Sequence, residues 1–358
     1  MQDVLKYLRW EITERGARII GCDEKIEGAM EIPSRLDGAA VVEIGEEAFS
    51  ERHSLESVVI PDSVEVVGER AFGWCDGLNE LRLGRGIKKI EKDAFQLCSS
   101  LKTVVIPDSV EVVGEAAFAL CHGLQELRLG TGIKTIENGA FAKCVSLQSV
   151  VIPGSVEVVG EASFYGCSEL EELHLGAGIK KIEKKAFYKC ASLKRVEIPD
   201  SVEVIGYSAF KECSGLKELH LGAGIKKIEF SAFNDCHSLK RVEIPDSVEV
   251  IGNWAFCRCS KLEELHLGAG IKRIEEAAFK ECASLKRVEI PDSVKVIGKK
   301  AFCGCSKLEE LHLGAGIKKI EKGAFANCSS LRGVVLPSPL EERSPDAFSD
   351  YEDEDDLS

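Results

Sequence analysis

A phenylalanine returns along this chain at a constant spacing of 23, without a slip. It stands at Phe49, Phe72, Phe95, Phe118, Phe141, Phe164, Phe187, Phe210, Phe233, Phe256, Phe279, Phe302, Phe325 and Phe348, which accounts for fourteen of the fifteen phenylalanines in 358 residues. Three residues after Phe72 comes Cys75, and that offset continues through Cys98 and Cys121 to Cys328, giving a series of twelve. Three further on, every unit has a leucine, from Leu55 to Leu331. A fixed period of this size marks a repeat array, in which each unit contacts only its neighbours, so the length does not divide into ordinary globular domains.

After the leucine comes a short alternating segment, such as Leu193-x-x-Val196-x-Ile198 or Leu170-x-x-Leu173-x-Leu175. A period of two predicts a strand with one face buried. Pro199 or Gly176 closes it at once, because proline cannot donate to a ladder, and "PDS" or "GAG" supplies turn chemistry. A second apolar pair, Val202 and Ile205 or Ile179 and Ile182, precedes the next Ala-Phe. No single unit can bury this face, so stacking must do it, each buried side chain contributing about 1.5–3 kcal/mol. Strands of neighbouring turns are expected ~4.8 Å apart.

Both ends depart from the rhythm. Residues 1–47 read as an N-terminal cap built of a short helix and a hairpin, residues 48–336 as the tandem repeats, and residues 337–358 as a fading final turn that runs into an acidic tail. The net charge of −14 is concentrated there, since residues 341–358 hold nine acids and one arginine. Such a block reads as a solvated tail, and the acidic balance excludes nucleic acid as a partner class. No stretch is apolar enough to span a membrane, and MQDVLKYLRWEITERGAR carries charges where a secretory signal would be apolar, so a cytoplasmic protein is expected.

Stacking in register makes equivalent residues of successive units neighbours, so exposed positions form columns. One runs Val59, Arg82, Val105, Arg128, Val151, His174, Glu197, His220, Glu243, His266, Glu289, His312. Two residues earlier, another runs Glu172, Arg195, Glu218, Arg241, Glu264, Arg287, Glu310. A third, past the turn, alternates Glu65, Lys88, Glu111, Lys134 and onward until Lys295 and Lys318 break it. Opposite charges across strands contribute about 0.2–1 kcal/mol per pair, so alternating sign accounts for a chemical repeat of two units, with each histidine beside a glutamate and His220 and His266 flanked by two.

A metal reading of the histidines fails on distance, because those two turns apart stand ~10 Å from one another, while zinc ligands bond at ~2.1 Å. No cofactor is expected, for no catalytic motif or phosphate loop converges with the His-Glu pairs. The cysteine column reads as small buried hydrophobes rather than disulfides, and Cys257 and Cys303, outside it, as the more reactive thiols.

The string C-x-x-L-x-x-V-x-I-P-x-S-V-x-x-I-G-x-x-A-F, as in CASLKRVEIPDSVEVIGYSAF from Cys190 to Phe210, resembles the BspA-like leucine-rich repeats. The resemblance runs from about residue 20 to residue 348. It implies a repeat solenoid of the α/β type with little helix: a right-handed horseshoe with a parallel sheet of about 13 strands on its concave face, which recognises partners through its surface and is often secreted or on the cell surface. The slot where many such repeats place Asn or Cys holds Gly178 or Ser201, so the Gly and Pro-Asp-Ser turns must satisfy the turn carbonyls.

The resulting expectation is a non-enzymatic scaffold, monomeric or weakly self-associating, that binds a protein or extended peptide. The candidate surface is the first column together with Glu172, Arg195, Arg241 and Arg287. Val59, Val105 and Val151 among Arg82 and Arg128 serve either partner contact or strand propensity. The alternative is a structural array, used for spacing or self-association, with no particular ligand.

Overall fold

The computed structural model describes residues 4–337, 340 and 342–349; the acidic run from Asp350 onward lies outside them. It is a nearly all-sheet parallel β-solenoid of about 13 turns. Among the described residues, the one helical element is a 3-10 turn, Val4–Tyr7. Contacts divide the chain into two compact units, Met1–Ile179 and Lys180–Ser358.

In the first unit the alternating segments form a parallel ladder of Gly28–Glu31, Leu55–Val59, Glu80–Arg82, Thr103–Val105, Glu126–Arg128, Ser149–Ile152 and Glu172–Leu175. Its register is the repeat itself, with Val59 opposite Arg82, Val105 opposite Arg128 and Val151 opposite His174. The second apolar pair carries a further ladder of two-residue strands, in which Val67, Ile90, Val113, Ile136 and Val159 face one another in turn. At the N-terminus, Leu8–Thr13 and Gly16–Cys22 make an antiparallel hairpin, and Gly16–Cys22 lies parallel beside Ala39–Ile44, covering the first edge of that ladder. An edge covered in this way offers no free backbone to a passing strand.

The second unit repeats the plan. Its long strands run from Arg195–Glu197 to Glu310–Leu313, and its short ones from Lys181–Ile182 to Lys319–Ile320, where Glu342–Arg343 pairs last. The ladder of long strands is the parallel sheet that alternation suggested, and the ladder of short strands stands in addition to it. Two apolar residues are enough for a strand when the same pair recurs in register above and below.

The phenylalanine rings stack nearly parallel in both units, at 4.8 Å for Phe49 and Phe72, 5.3 Å for Phe141 and Phe164, and 5.1 Å for Phe187 and Phe210. Each backbone N–H beneath a ring donates to a carbonyl of the next turn, as Phe72 does to Ala94 at 2.7 Å and Phe210 to Ala232 at 2.8 Å. Reversing the chain around each ring takes two left-handed residues, for example Ala116 (φ 50°) and Leu120 (φ 62°). That conformation costs a non-glycine residue roughly 1–2 kcal/mol, a strain held in place by the inter-turn hydrogen bonds and the buried ring.

All fifteen cysteines are free and buried. In the column they do more than fill space: the Cys98 thiol donates to the Phe72 carbonyl at 3.2 Å, Cys121 to Phe95 at 3.2 Å, and Cys259 to Phe233 at 3.4 Å. Each thiol thus ties its turn to the backbone of the turn before. Burial pushes the Cys121 thiol up to about 12. Cys257 and Cys303 contradict their expected reactivity. They are 0% and 2% exposed, and desolvation pushes Cys257 up to about 12, so almost no thiolate forms near neutral pH.

The alternation of "PDS" and "GAG" turns has a steric cause besides the charges. The Asp200 carboxylate accepts the Ala223 N–H at 2.7 Å, and Asp246 and Asp292 bond Ala269 and Ala315 in the same way. The two turns lie so close that a Cβ on Gly224 would stand 1.9 Å from the Asp200 carbonyl oxygen, and one on Gly178 comes as near, 2.0 Å, to the Gly154 carbonyl oxygen, where there is no carboxylate. Ser109 and Ser247 in turn donate to the carbonyls of Ile87 and Ile225 at 2.7 and 2.6 Å, so these two Pro-Asp-Ser turns satisfy turn carbonyls as expected, whereas the buried Ser293 hydroxyl has no partner among the described residues. A surface ion pair is worth under about 1 kcal/mol, whereas a Cβ inside a carbonyl cannot be accommodated without moving backbone, so the steric term dominates the two-unit chemical repeat.

Candidate functional site

Alternation on each long strand sends one set of side chains into the core and the other outward, and the expected site residues all fall in the outward set. In the first unit Arg82, Arg128, Glu172 and His174 are exposed, Val105 and Val151 are 50% and 60% exposed, and Val59 is half-buried. Glu31, opposite Val59, extends the column at its start. It escaped sequence reading because its strand lies outside the strict period. Two shallow depressions flank Val105: Arg82, Arg85, Pro107 and Asp108 line one, and Glu80, Lys102, Thr103 and Gln125 the other. Val105 therefore stands between polar, partly basic walls.

In the second unit Arg195, Glu197, His220, Arg241, Glu243, His266, Arg287, Glu289 and His312 are all exposed, and they follow the expected register, Glu197 opposite His220, Glu243 opposite His266 and Glu289 opposite His312. The arginines pair across strands as the second column predicts, and each also has a partner that the columns did not suggest. Each arginine reaches the glutamate of the next strand, Arg195 to Glu218 at 3.3 Å, Arg241 to Glu264 at 3.4 Å and Arg287 to Glu310 at 3.2 Å. It also takes the glutamate two residues on along its own strand, as Arg287 hydrogen-bonds Glu289. His312 Nδ1 stands 3.8 Å from that Glu289. The Arg287 hydrogen bond and charge hold the Glu289 carboxyl below the usual carboxylate range, with His312 and His266 adding less.

The histidine was thus assigned a partner that arginine holds. Residues i and i+2 share a strand face, so Arg-x-Glu spacing was the available signal, and a five-donor guanidinium can serve two carboxylates where a neutral imidazole, with one N–H, cannot. The outcome is a face whose charges are largely consumed internally. Among the described residues, no group of three or more His, Cys, Asp or Glu is placed to hold a metal ion, and no helix is long and apolar enough to cross a membrane.

A family model described as a BspA type leucine rich repeat region, in six copies, matches residues 42–171, 134–263 and 226–353. Among solved structures, a leucine-rich repeat protein from Bacteroides ovatus is 27% identical with a TM-score of 0.72, over 95% of this chain and 96% of its own. A leucine rich cell surface protein from Faecalibacterium prausnitzii is 26% identical with a TM-score of 0.54, over 97% and 94%. The pneumococcal vaccine antigen PcpA, 23% identical with a TM-score of 0.51 over 95% and 91%, shares the fold. No curated protein sequence matches the chain.

Proposed function

Because the chain belongs to the BspA-type leucine-rich repeat family, whose members generally serve as protein-interaction scaffolds, we propose that it is a non-enzymatic scaffold. It binds a protein or extended peptide through the exposed column of its first unit. The observation that carries this reading is the pair Val105 and Val151, exposed by half or more beside Arg82 and Arg128. Apolar contact ringed by arginine is the composition of binding hot spots. The corresponding column of the second unit spends its arginines on its own glutamates and offers less to a partner. The complement of the first-unit surface is an acidic segment with aliphatic side chains at alternate positions.

For the compartment, we keep the cytoplasm as the reading from the residues. Fifteen free thiols fit synthesis where thiols stay reduced. The cell-surface location of the Faecalibacterium relative is the competing precedent.

The test is a comparative pull-down. Full-length protein, an Arg82→Glu/Arg128→Glu variant and an Arg241→Ala control, all shown to melt alike, are used as bait in the same lysate. Partners that remain with the control and vanish with the double variant support the first-unit surface. An identical set of partners with all three baits overturns it.

A further inference from the structure

We propose that Leu8–Thr13, the outer strand of the N-terminal hairpin, pairs edge to edge and antiparallel with the same strand of a second copy of this chain. The surface lies apart from the exposed column of valines and arginines.

The hairpin covers the first edge of its ladder and leaves an edge of its own. Gly16–Cys22 has a strand on each side, Leu8–Thr13 and Ala39–Ile44, and Ala39–Ile44 in turn lies between Gly16–Cys22 and Val66–Val67. Among the described residues, Leu8–Thr13 pairs with Gly16–Cys22 alone. Thr13 and Gly16 face each other across a two-residue loop and exchange their backbone bonds. Alternation along an antiparallel ladder then turns the N–H and carbonyl of Ile12 and of Trp10 away from the hairpin. Among the described residues, neither backbone has a hydrogen-bond partner from outside the hairpin.

An edge of this kind is a template for another strand unless proline, a bulge or a charge blunts it. The strand reads Leu-Arg-Trp-Glu-Ile-Thr, without proline, and its one bulge falls between Arg9 and Trp10 on the hairpin side. Ile12 lies on the face it shares with buried Leu8, yet its side chain is 55% exposed. The two charges, Arg9 and Glu11, select the occupant instead of repelling it.

Symmetric antiparallel pairing must set outward-turned backbone against outward-turned backbone, which leaves few registers. Centred on Trp10, the pairing sets Arg9 against Glu11 of the second copy, twice over, with Leu8 against Ile12 and Trp10 against Trp10. Centred on Glu11, it sets two glutamates against each other; centred on Arg9, two arginines. Opposite charges across strands attract and like charges repel, so the Trp10 register is the favoured one. Within the chain Glu11 meets Arg18 only at 3.8 Å, and its carboxylate remains open to the second copy. The interface is self-complementary, so it closes as a dimer and goes no further.

Sedimentation velocity of the full-length protein, over a hundredfold concentration range reaching about 200 μM, tests this. The expected result is a shift from monomer to dimer as concentration rises. Arg9→Glu and Glu11→Arg each set like charges opposite one another in their own dimers. With both variants shown to melt like the unmodified protein, each is expected to dimerise at least about tenfold more weakly. Mixing the two variants one to one restores opposite charges at both places and should bring back dimer to the unmodified level. Ile12→Pro removes an outward N–H and no hairpin bond, and should abolish the dimer. Monomer at every concentration, undiminished dimer in any of the three variants, or a mixture no better than its components each overturns the proposal.

Discussion

The aspartate column of the Pro-Asp-Ser turns has one gap, and filling it tests how turns are tied together. Asp62, Asp108, Asp200, Asp246 and Asp292 each accept the backbone N–H of the residue 23 places later, at 2.7–2.8 Å. At the remaining place the sequence has Gly154, and Ala177 N–H faces it without a carboxylate. A Cβ built on Gly154 meets only Ala177 N, at 3.9 Å, so an aspartate fits with its carboxylate aimed at that amide. One hydrogen bond contributes about 0.5–1.5 kcal/mol net, and replacing glycine removes unfolded-chain freedom worth about 0.4–1 kcal/mol. Gly154→Asp should therefore stabilise the first unit by about 1–2 kcal/mol, which slows exchange of the Ala177 amide about 5- to 30-fold. Gly154→Ala supplies only the chain-entropy part and is the control.

The pH dependence of that gain has a definite sign. The Thr131 N–H and hydroxyl together hold the Asp108 carboxyl below its ordinary value; Ala177 offers only its N–H, and that bond by itself favours the ionised form of an aspartate at position 154. A depressed folded-state value contributes stability that is present above the unfolded pKa of ~3.9 and lost as pH falls through the folded one. The difference between the Asp and Ala variants should accordingly persist at pH 7 and close near pH 2.5. Equal Ala177 exchange in the two variants at pH 7 would refute the carboxylate's role.

Three further outcomes follow from the same contacts. Gly178→Ala places a Cβ 2.0 Å from the Gly154 carbonyl oxygen and should cost several kcal/mol, of order 3, in a denaturant midpoint, where Gly154→Ala costs nothing. Because the Arg287 hydrogen bond and charge are what chiefly hold the Glu289 carboxyl down, the melting temperature of the second unit should fall as pH drops through the depressed Glu289 value, and Arg287→Gln should shift that acid limb upward. Native protein at pH 7.5 should react with a thiol reagent at none of its fifteen cysteines, Cys257 included, until denaturant is added.

The spine of the fold was legible because each buried type recurs at one spacing: Phe, Cys, Leu and the strand aliphatics fix both the register and the inward face. What escaped reading was direction within the polar groups. Spacing cannot show that a buried thiol points its proton at the Phe carbonyl of the previous turn. Nor can it show that Asp200 reaches the Ala223 amide of the following turn, or that the backbone there leaves no room for a Cβ on Gly224. The charge columns were placed correctly but paired one partner too far, since Arg241 satisfies its neighbours along and across the strand before His266 can. Cys257 and Cys303 looked exceptional for lying outside a column, yet the residue after a spine phenylalanine is buried in other turns too, as at Ala119, Asn234 and Ala326.

The stacking of side chains one repeat apart can be read most directly in solution from protein deuterated everywhere except its phenylalanine rings. With rings 4.8–5.5 Å apart, ring-to-ring nuclear Overhauser cross-peaks should link Phe49 through Phe164 in one unbroken series and Phe187 through Phe348 in another, with none skipping a turn. Isolated ring signals, or cross-peaks between phenylalanines of non-adjacent repeats, would contradict the account.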